Sequence, residues 1–353
     1  MTRSNDGPAM TWQEELQNSV SDGEELAREL GCDPKAVEAV ITRYPMRITP
    51  YYLKLIKQCD ALRLQAVPDL RELDDPVGMD DPLGEENLSP SPNLVHKYPD
   101  RVLLLVSSQC AMYCRFCTRK RKVGGAAMQF SETGFAAALD YLRRTPSVRE
   151  VLISGGDPLL LADARLESIL RRLREVPSIE VIRIGTRTPC TLPMRITPEL
   201  CAMLRQFHPL YINTHFNHPA ELTAEAARAC TLLADAGIPL GCQTVLLQGV
   251  NDSAETLREL FCGLLRLRVK PYYLMQADLT KGTSHFRTPV KDGLAIMRQL
   301  IGTVSGMAVP KFVLDAPGGK GKIPLTPDYI TAMQNGKLEF TTWQGLPCSY
   351  PLE

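Results

Sequence analysis

Three cysteines stand in the spacing Cys110-x3-Cys114-x2-Cys117, inside the run QCAMYCRFCTRKRK. Thiolates this close together suit a metal site, and their number limits which one. A structural zinc takes four ligands, usually from paired C-x2-C units, and the chain has no second pair. A disulfide is disfavoured in a reducing compartment. Iron–sulfur clusters accept thiolates from tight loops, and three cysteines leave one iron of a [4Fe–4S] cluster open to another ligand. The remaining cysteines are scattered singly among the eleven of the chain. Cys190, Cys201, Cys230, Cys242 and Cys262 sit in apolar or mixed surroundings and read as small core residues.

The elements that must position this loop begin near residue 101. Short apolar runs alternate there with amphipathic stretches: RVLLLVSSQ (101–109), EVLISGGD (150–157), EVIRIGTR (180–187), LYINTHFN (210–217), GCQTVLLQG (241–249) and KPYYLMQAD (270–278). TGFAAALDYLRRT, ARLESILRRLREV and ELTAEAARACTLLADAG read as intervening helices, the last stopped by Gly237. Six such units predict an α/β fold with a parallel sheet covered by helices. A partial (β/α)6 TIM-type barrel is the economical arrangement, and a doubly wound open sheet is the alternative. Barrel chemistry gathers at the C-terminal ends of strands. Those ends carry the cysteine loop, then Ser154-Gly155-Gly156-Asp157, Arg187, His215, Gln243 and Asp278.

Four regions are expected. Residues 1–66 form an N-terminal helical region, since EELQNSV, DGEELARELG and DPKAVEAVITRY show helical apolar spacing behind Asp or Ser. Residues 67–100, rich in Pro, Asp and Gly, form an ordered connector laid over the next domain. The barrel spans 101–305, and 306–353 is a C-terminal segment containing the strand-like VPKFVLDAPGG. Lys+Arg and Asp+Glu are both 40, so the charge balance favours neither nucleic acid nor an anionic membrane as partner. No apolar run is long enough for a membrane span, and the first residues lack the apolar core of a secretory signal. The expected location is the cytoplasm.

The cysteine spacing with Phe116 before the third cysteine, on the loop after the first strand of six units, resembles the radical S-adenosylmethionine superfamily. In that superfamily the open iron chelates S-adenosylmethionine and yields a 5′-deoxyadenosyl radical. Ser154–Asp157 resembles its glycine motif, whose glycines would admit the methionine moiety; His215 and Gln243 are further candidates for holding this cofactor. CTRKRK (117–122), SGGDPLL (154–160), NTHFNHP (213–219), HFRTPV (285–290) and DAPGGKGKIP (315–324) together resemble the lysine 2,3-aminomutases, over roughly residues 45–335.

That resemblance implies a second cofactor, pyridoxal 5′-phosphate, carried on Lys322 as a Schiff base with its phosphate on Arg101. In PGGKGK, Lys320 interrupts the family's glycines and is a second candidate; spacing to Asp315 selects Lys322. From the residues alone, a glycine-rich turn with two lysines also suits a surface loop, and Arg101 a solvated strand edge. The resemblance places Arg119 on the substrate carboxylate and Asp278 and Asp315 on a lysine ammonium. Read singly, Asp278 equally caps a turn and Asp315 equally makes an Asx-turn. The implied activity interconverts L-α-lysine and L-β-lysine by 1,2-amino migration, with an electron donor such as flavodoxin or ferredoxin. Ser253 stands where those enzymes have a zinc-ligating cysteine, and the tail holds only Cys348, so no structural zinc is expected and a homo-oligomer remains open. Rival readings are the (R)-β-lysine-forming aminomutase that serves elongation factor P, an arginine or glutamate aminomutase, a non-catalytic iron–sulfur or pyridoxal-phosphate protein, and a zinc-binding structural module.

Overall fold

In the computed structural model, which describes residues 10–352, the chain opens with five short helices: α1 (Trp12–Gln17), α2 (Gly23–Leu30), α3 (Pro34–Ile41), α4 (Pro50–Ile56) and α5 (Asp60–Ala66). The first four start on oxygen side chains, Thr11, Asp22, Asp33 and Thr49, each accepting a first-turn N–H, as helix ends require. Most of the stretch read for a secretory leader lies outside the described residues. No helix among the described residues is long and apolar enough to cross a membrane.

The sheet has nine strands in sequence order: β1 (Leu94–Tyr98), β2 (Arg101–Leu105), β3 (Glu150–Ser154), β4 (Val181–Gly185), β5 (Leu210–His215), β6 (Leu240–Leu246), β7 (Val269–Gln276), β8 (Lys311–Ala316) and β9 (Gly321–Pro324). Neighbours from β2 to β8 are parallel, while β1 and β9 flank them antiparallel. The expected partial barrel is present. The covering helices are α6 (Glu132–Arg144), α7 (Asp163–Arg174), the short α8 (Thr188–Thr191) and α9 (Pro198–Leu204), α10 (Ala224–Asp235), α11 (Ala254–Arg266) and α12 (Val290–Leu300). Ser253 caps α11 by accepting the Thr256 N–H at 3.2 Å.

The sheet runs from Leu94 to Pro324, across the boundaries expected at 100/101 and 305/306. A parallel sheet left open at both edges would expose unpaired backbone, and β1 and β9 cover those edges. β6 alternates strictly between buried and half-buried residues. Cys242, Thr244 and Leu246 pack outward under helices, while Gly241, Gln243 and Val245 face an internal chamber.

No strand pairing joins β1 to β9; side chains and loops bridge the seam. Tyr98 Oη accepts the Lys322 N–H at 3.0 Å, Lys97 Nζ meets Asp315 Oδ1 at 3.1 Å, and the Gly318 N–H donates to the Pro82 carbonyl at 2.9 Å. Beyond the barrel, β10 (Ile330–Gln334), β11 (Lys337–Thr341) and β12 (Pro347–Pro351) make a separate antiparallel sheet.

The N-terminal helices grip the cysteine loop. The Tyr113 N–H donates to the Arg47 carbonyl and the Arg115 N–H to the Gln65 carbonyl. Arg115, between the second and third cysteines, is buried and paired through Nε and Nη2 with Glu72 at 2.9 and 2.5 Å, and its Nη1 reaches the Pro45 carbonyl at 2.9 Å. Lys120 Nζ joins the same carboxylate at 2.6 Å. Removing one partner of a buried pair leaves the other uncompensated, at a cost of about 3–5 kcal/mol. Glu72→Ala is therefore expected to lower the urea midpoint by that much free energy. A midpoint equal to the parent's would show that the clamp is not holding the loop.

Candidate active site

Cys110, Cys114 and Cys117 all face one chamber of about 1120 Å3 inside the barrel. Burial pushes the Cys110 thiol well above its ordinary range and Cys117 up to about 11. Among the described residues, no three His, Cys, Asp or Glu side chains converge closely enough for a single metal ion. Three thiolates of one tight loop, all facing the chamber, are a donor set that fits an iron–sulfur cluster.

The glycine motif meets this loop through backbone. The Gly156 N–H donates to the Ser107 carbonyl at 2.5 Å and the Asp157 N–H to the Gln109 carbonyl at 2.7 Å. A Cβ on Gly155 would strike the Ser107 carbonyl, and one on Gly156 the Gln109 carbonyl. Gly155 also has φ +132°, which favours glycine. Both glycines therefore bring β3 against the start of the cysteine loop, and both also line the chamber. Asp157 lines it as well. Its buried carboxylate accepts the Thr186 hydroxyl at 2.7 Å and the backbone N–H groups of Leu159, Arg187 and Thr188, tying the end of β3 to the end of β4. Ser154 remains on the chamber wall.

Beside the cysteines, His215 Nε2 lies 2.9 Å from Asn217 Oδ1 and its ring 5.5 Å from that of Phe116. Burial, reinforced by the Arg187 charge, lowers its pKa to about 3, so the imidazole is neutral and can accept or donate without carrying charge. Gln243 faces the chamber one strand further on.

Ionic groups arrange the other wall. Arg119 Nε sits 3.1 and 3.0 Å from the two Glu85 oxygens, with Nη2 2.5 Å from Oε1. Burial opposes its charge, but Glu85 more than offsets that and raises its pKa. Glu85 belongs to the connector, where Asp81 Oδ1 accepts its N–H at 3.1 Å. Asp315 on β8 pairs across the hairpin with Lys322 on β9; Lys322 Nζ is 2.5 Å from Asp315 Oδ2 and Lys97 Nζ 3.1 Å from Oδ1. Asp278, just past β7, is half-buried nearby. Desolvation and the Asp315 charge raise it to about 7, against the pull of Lys322 and Lys97.

Arg101 lies at the start of β2, the opposite end of the strands from the cysteine loop, but on the same chamber. Its guanidinium stacks 4.0 Å from the centre of the Tyr98 ring, the tyrosine that holds the Lys322 backbone. Tyr98 thus links the backbone of Lys322 to the guanidinium of Arg101, and an amine and a guanidinium on one chamber fit a phosphorylated aldehyde cofactor. The hairpin turn between them needs glycine at Gly318 and Gly319, both with positive φ, because Gly319 packs against Leu83 and Leu88 of the connector. Lys322 faces the chamber; Lys320 is in the turn and is not among the lining residues.

The chamber brings all the sequence-predicted site residues together. It also carries buried polar atoms without a partner, Asn213 Oδ1, Gln276 Oε1 and Arg183 Nε, as a site built for polar ligands does. Sequence reasoning missed Glu85, Lys97, Gln65 and Glu221. The first two lay in the stretch read as a connector, and an isolated charged residue in an aperiodic segment carries no local signal of an inward side chain.

A family model described as the Radical SAM superfamily matches residues 104–261, and one described as Lysine-2,3-aminomutase matches residues 297–352. The chain is 47% identical over 346 residues to the L-lysine 2,3-aminomutase of Clostridium subterminale, covering 96% of this chain and 83% of that one. It is 48% identical over 346 residues to the L-lysine 2,3-aminomutase of Acetoanaerobium sticklandii, covering 96% and 84%. It is also 44% identical over 340 residues to the glutamate 2,3-aminomutase of Clostridioides difficile, covering 95% and 80%.

The placement of the two hairpin lysines yields a direct test. Borohydride reduction in the presence of pyridoxal phosphate should fix the cofactor to the peptide containing Lys322. Lys322→Ala should abolish the adduct and Lys320→Ala should leave it intact; the reverse pattern would transfer the role to Lys320.

Proposed function

The chain belongs to the lysine 2,3-aminomutase family of the radical S-adenosylmethionine superfamily, and from that premise we propose that the chamber moves the α-amine of L-lysine to its β-carbon, with charges at its two ends selecting the substrate. The family uses a [4Fe–4S] cluster, S-adenosylmethionine and pyridoxal phosphate; bound together, they supply a carbon-centred radical and an electron-delocalising ring for a 1,2 shift of nitrogen. In this reading Cys110, Cys114 and Cys117 hold the cluster, Ser154, His215 and Gln243 face S-adenosylmethionine, and Lys322 and Arg101 hold the pyridine cofactor.

The observation that carries the substrate is the juxtaposition of Asp278 and Asp315. Asp315 already attracts two ammonium groups. A Lys322 amine drawn toward the pyridine cofactor would leave Asp315, and a substrate ammonium could then lie between Asp315 and Asp278. A glutamate side chain would bring a third negative charge into the same desolvated pocket, which is strongly unfavourable. At the other end, Glu85 grips Arg119 through Nε and Nη2 and leaves Nη1 directed elsewhere, available to the substrate carboxylate. The enclosing strands exclude water from a reaction that water or oxygen would quench. A low-potential electron donor of the flavodoxin or ferredoxin kind and a cytoplasmic setting complete the reading.

Anaerobic incubation with reductant, S-adenosylmethionine and pyridoxal phosphate tests it directly. L-lysine should yield β-lysine, and L-glutamate should yield no β-glutamate. β-Arginine formed faster than β-lysine would change the substrate, and no β-amino acid at all would sink the proposal.

Asp278 adds a pH dependence. Because its pKa of about 7 lies above the ordinary carboxylate value, ionising it weakens the fold as pH rises toward 7, and a bound ammonium relieves that cost. Below pH 7 the neutral acid attracts no ammonium. The KM for lysine should therefore fall as pH is raised through about 7, and Asp278→Asn should raise KM and flatten its pH profile. A profile unchanged in the variant would remove Asp278 from the ammonium site.

A further inference from the structure

Arg187 emerges from the end of β4 with its backbone N–H held by Asp157 Oδ2 at 2.8 Å. Its side chain is 9% exposed. Nη1 donates to Cys114 Sγ at 2.8 Å, Nη2 donates to Gln65 Oε1 at 2.6 Å and to Glu221 Oε1 at 2.8 Å, and the guanidinium carbon lies 5.3 Å from the centre of the Phe116 ring. Glu221 is fully buried. It accepts Tyr52 Oη at 2.7 Å and the Asn217 N–H at 2.6 Å. A line of hydrogen bonds thus runs from Tyr52 through Glu221 and Arg187 to one sulfur of the cysteine loop.

We propose that this line tunes the reduction potential of the cluster, with Arg187 as a positioning residue whose charged N–H contacts the Cys114 sulfur and Glu221 as the counter-charge that moderates it. The proposal rests on the reading that Cys110, Cys114 and Cys117 hold a [4Fe–4S] cluster. Reduction adds one electron to a cluster whose sulfurs share the added negative charge. A charged donor at a sulfur favours the reduced form, and hydrogen bonds to sulfur are an established lever on such potentials. The guanidinium lies nearer the sulfur than the carboxylate does, and burial keeps both charges poorly screened, so their effects on the electron have opposite signs.

That sign difference defines the experiment. Anaerobically reconstituted full-length protein is assayed for iron and sulfide, and its cluster potential is then titrated by electron paramagnetic resonance. Arg187→Gln should make the reduction equilibrium at least tenfold less favourable, about 59 mV lower for a one-electron couple. Glu221→Gln should shift it the opposite way, and Arg187→Lys should fall between parent and Arg187→Gln. Tyr52→Phe strips a donor from Glu221 while keeping the shape of the network, and should lower the potential; it carries the test if Arg187→Gln fails to assemble. Clusters at full occupancy with unchanged potentials, or with Arg187→Gln and Glu221→Gln shifted in the same direction, would overturn the proposal. A parent protein lacking four irons and sulfides would instead overturn the cluster reading.

Discussion

Charge taken out of water has to be met by opposite charge or hydrogen bonds, and that constraint joins the distant parts of this chain around one chamber. Arg115 reaches back to Glu72 and fastens the cysteine loop to the N-terminal helices. Arg187 meets Glu221 and reaches a cysteine sulfur. Arg119 meets Glu85 of the connector, and Asp315 meets lysines from both edges of the sheet. One partner sits beside a cysteine or at a strand end, and the other, except for Lys322 across its own hairpin, comes from a segment remote in sequence. The ion pairs thus act as positional constraints on the site; their net contribution to stability is small once desolvation is counted.

The chamber has opposed electrostatic poles. Arg119 and Glu85 mark one, with the guanidinium only partly satisfied; Asp278, Asp315 and two lysines mark the other. In the proposed reading the substrate carboxylate meets the first and its ammonium the second. Asp278 is the group left without a cation of its own, which is why burial and its acidic neighbour raise its pKa so far. The sheet seam lies at this same acidic pole. Lys97 and Tyr98 of β1 contact Asp315 and Lys322 of β8 and β9, so the residues that close the barrel also orient the lysine proposed to carry the cofactor.

Glycine here permits close backbone approach. Gly155 and Gly156 admit the backbone of residues 107–109, and Gly319 admits the connector. Both contacts move a functional loop onto a rigid neighbour: the cysteine loop onto β3, and the hairpin turn before Lys322 onto residues 83–88. A side chain at any of these positions would displace the loop it supports.

Much of the site was legible before any fold was known. Alternation of apolar runs and amphipathic stretches set the parallel barrel, since a strand and a helix bury different periodicities. The cysteine spacing pointed to a cluster because three thiolates in a tight loop leave a metal position open. The motif set around Lys322, Arg119, Asp278 and Asp315 named residues that the fold then gathered on one chamber. The tertiary structure alone decided what those residues touch. It turned Asp157 into a tie between strands, extended the sheet into the connector at β1, set Glu85 on Arg119 and brought Arg187 to Cys114. Residue type and local spacing record which chemistry is available and which local periodicity is favoured. The partner of a buried charge is chosen by the three-dimensional closure of the chain, and for Glu85, Glu72 and Glu221 that partner lies more than thirty residues away.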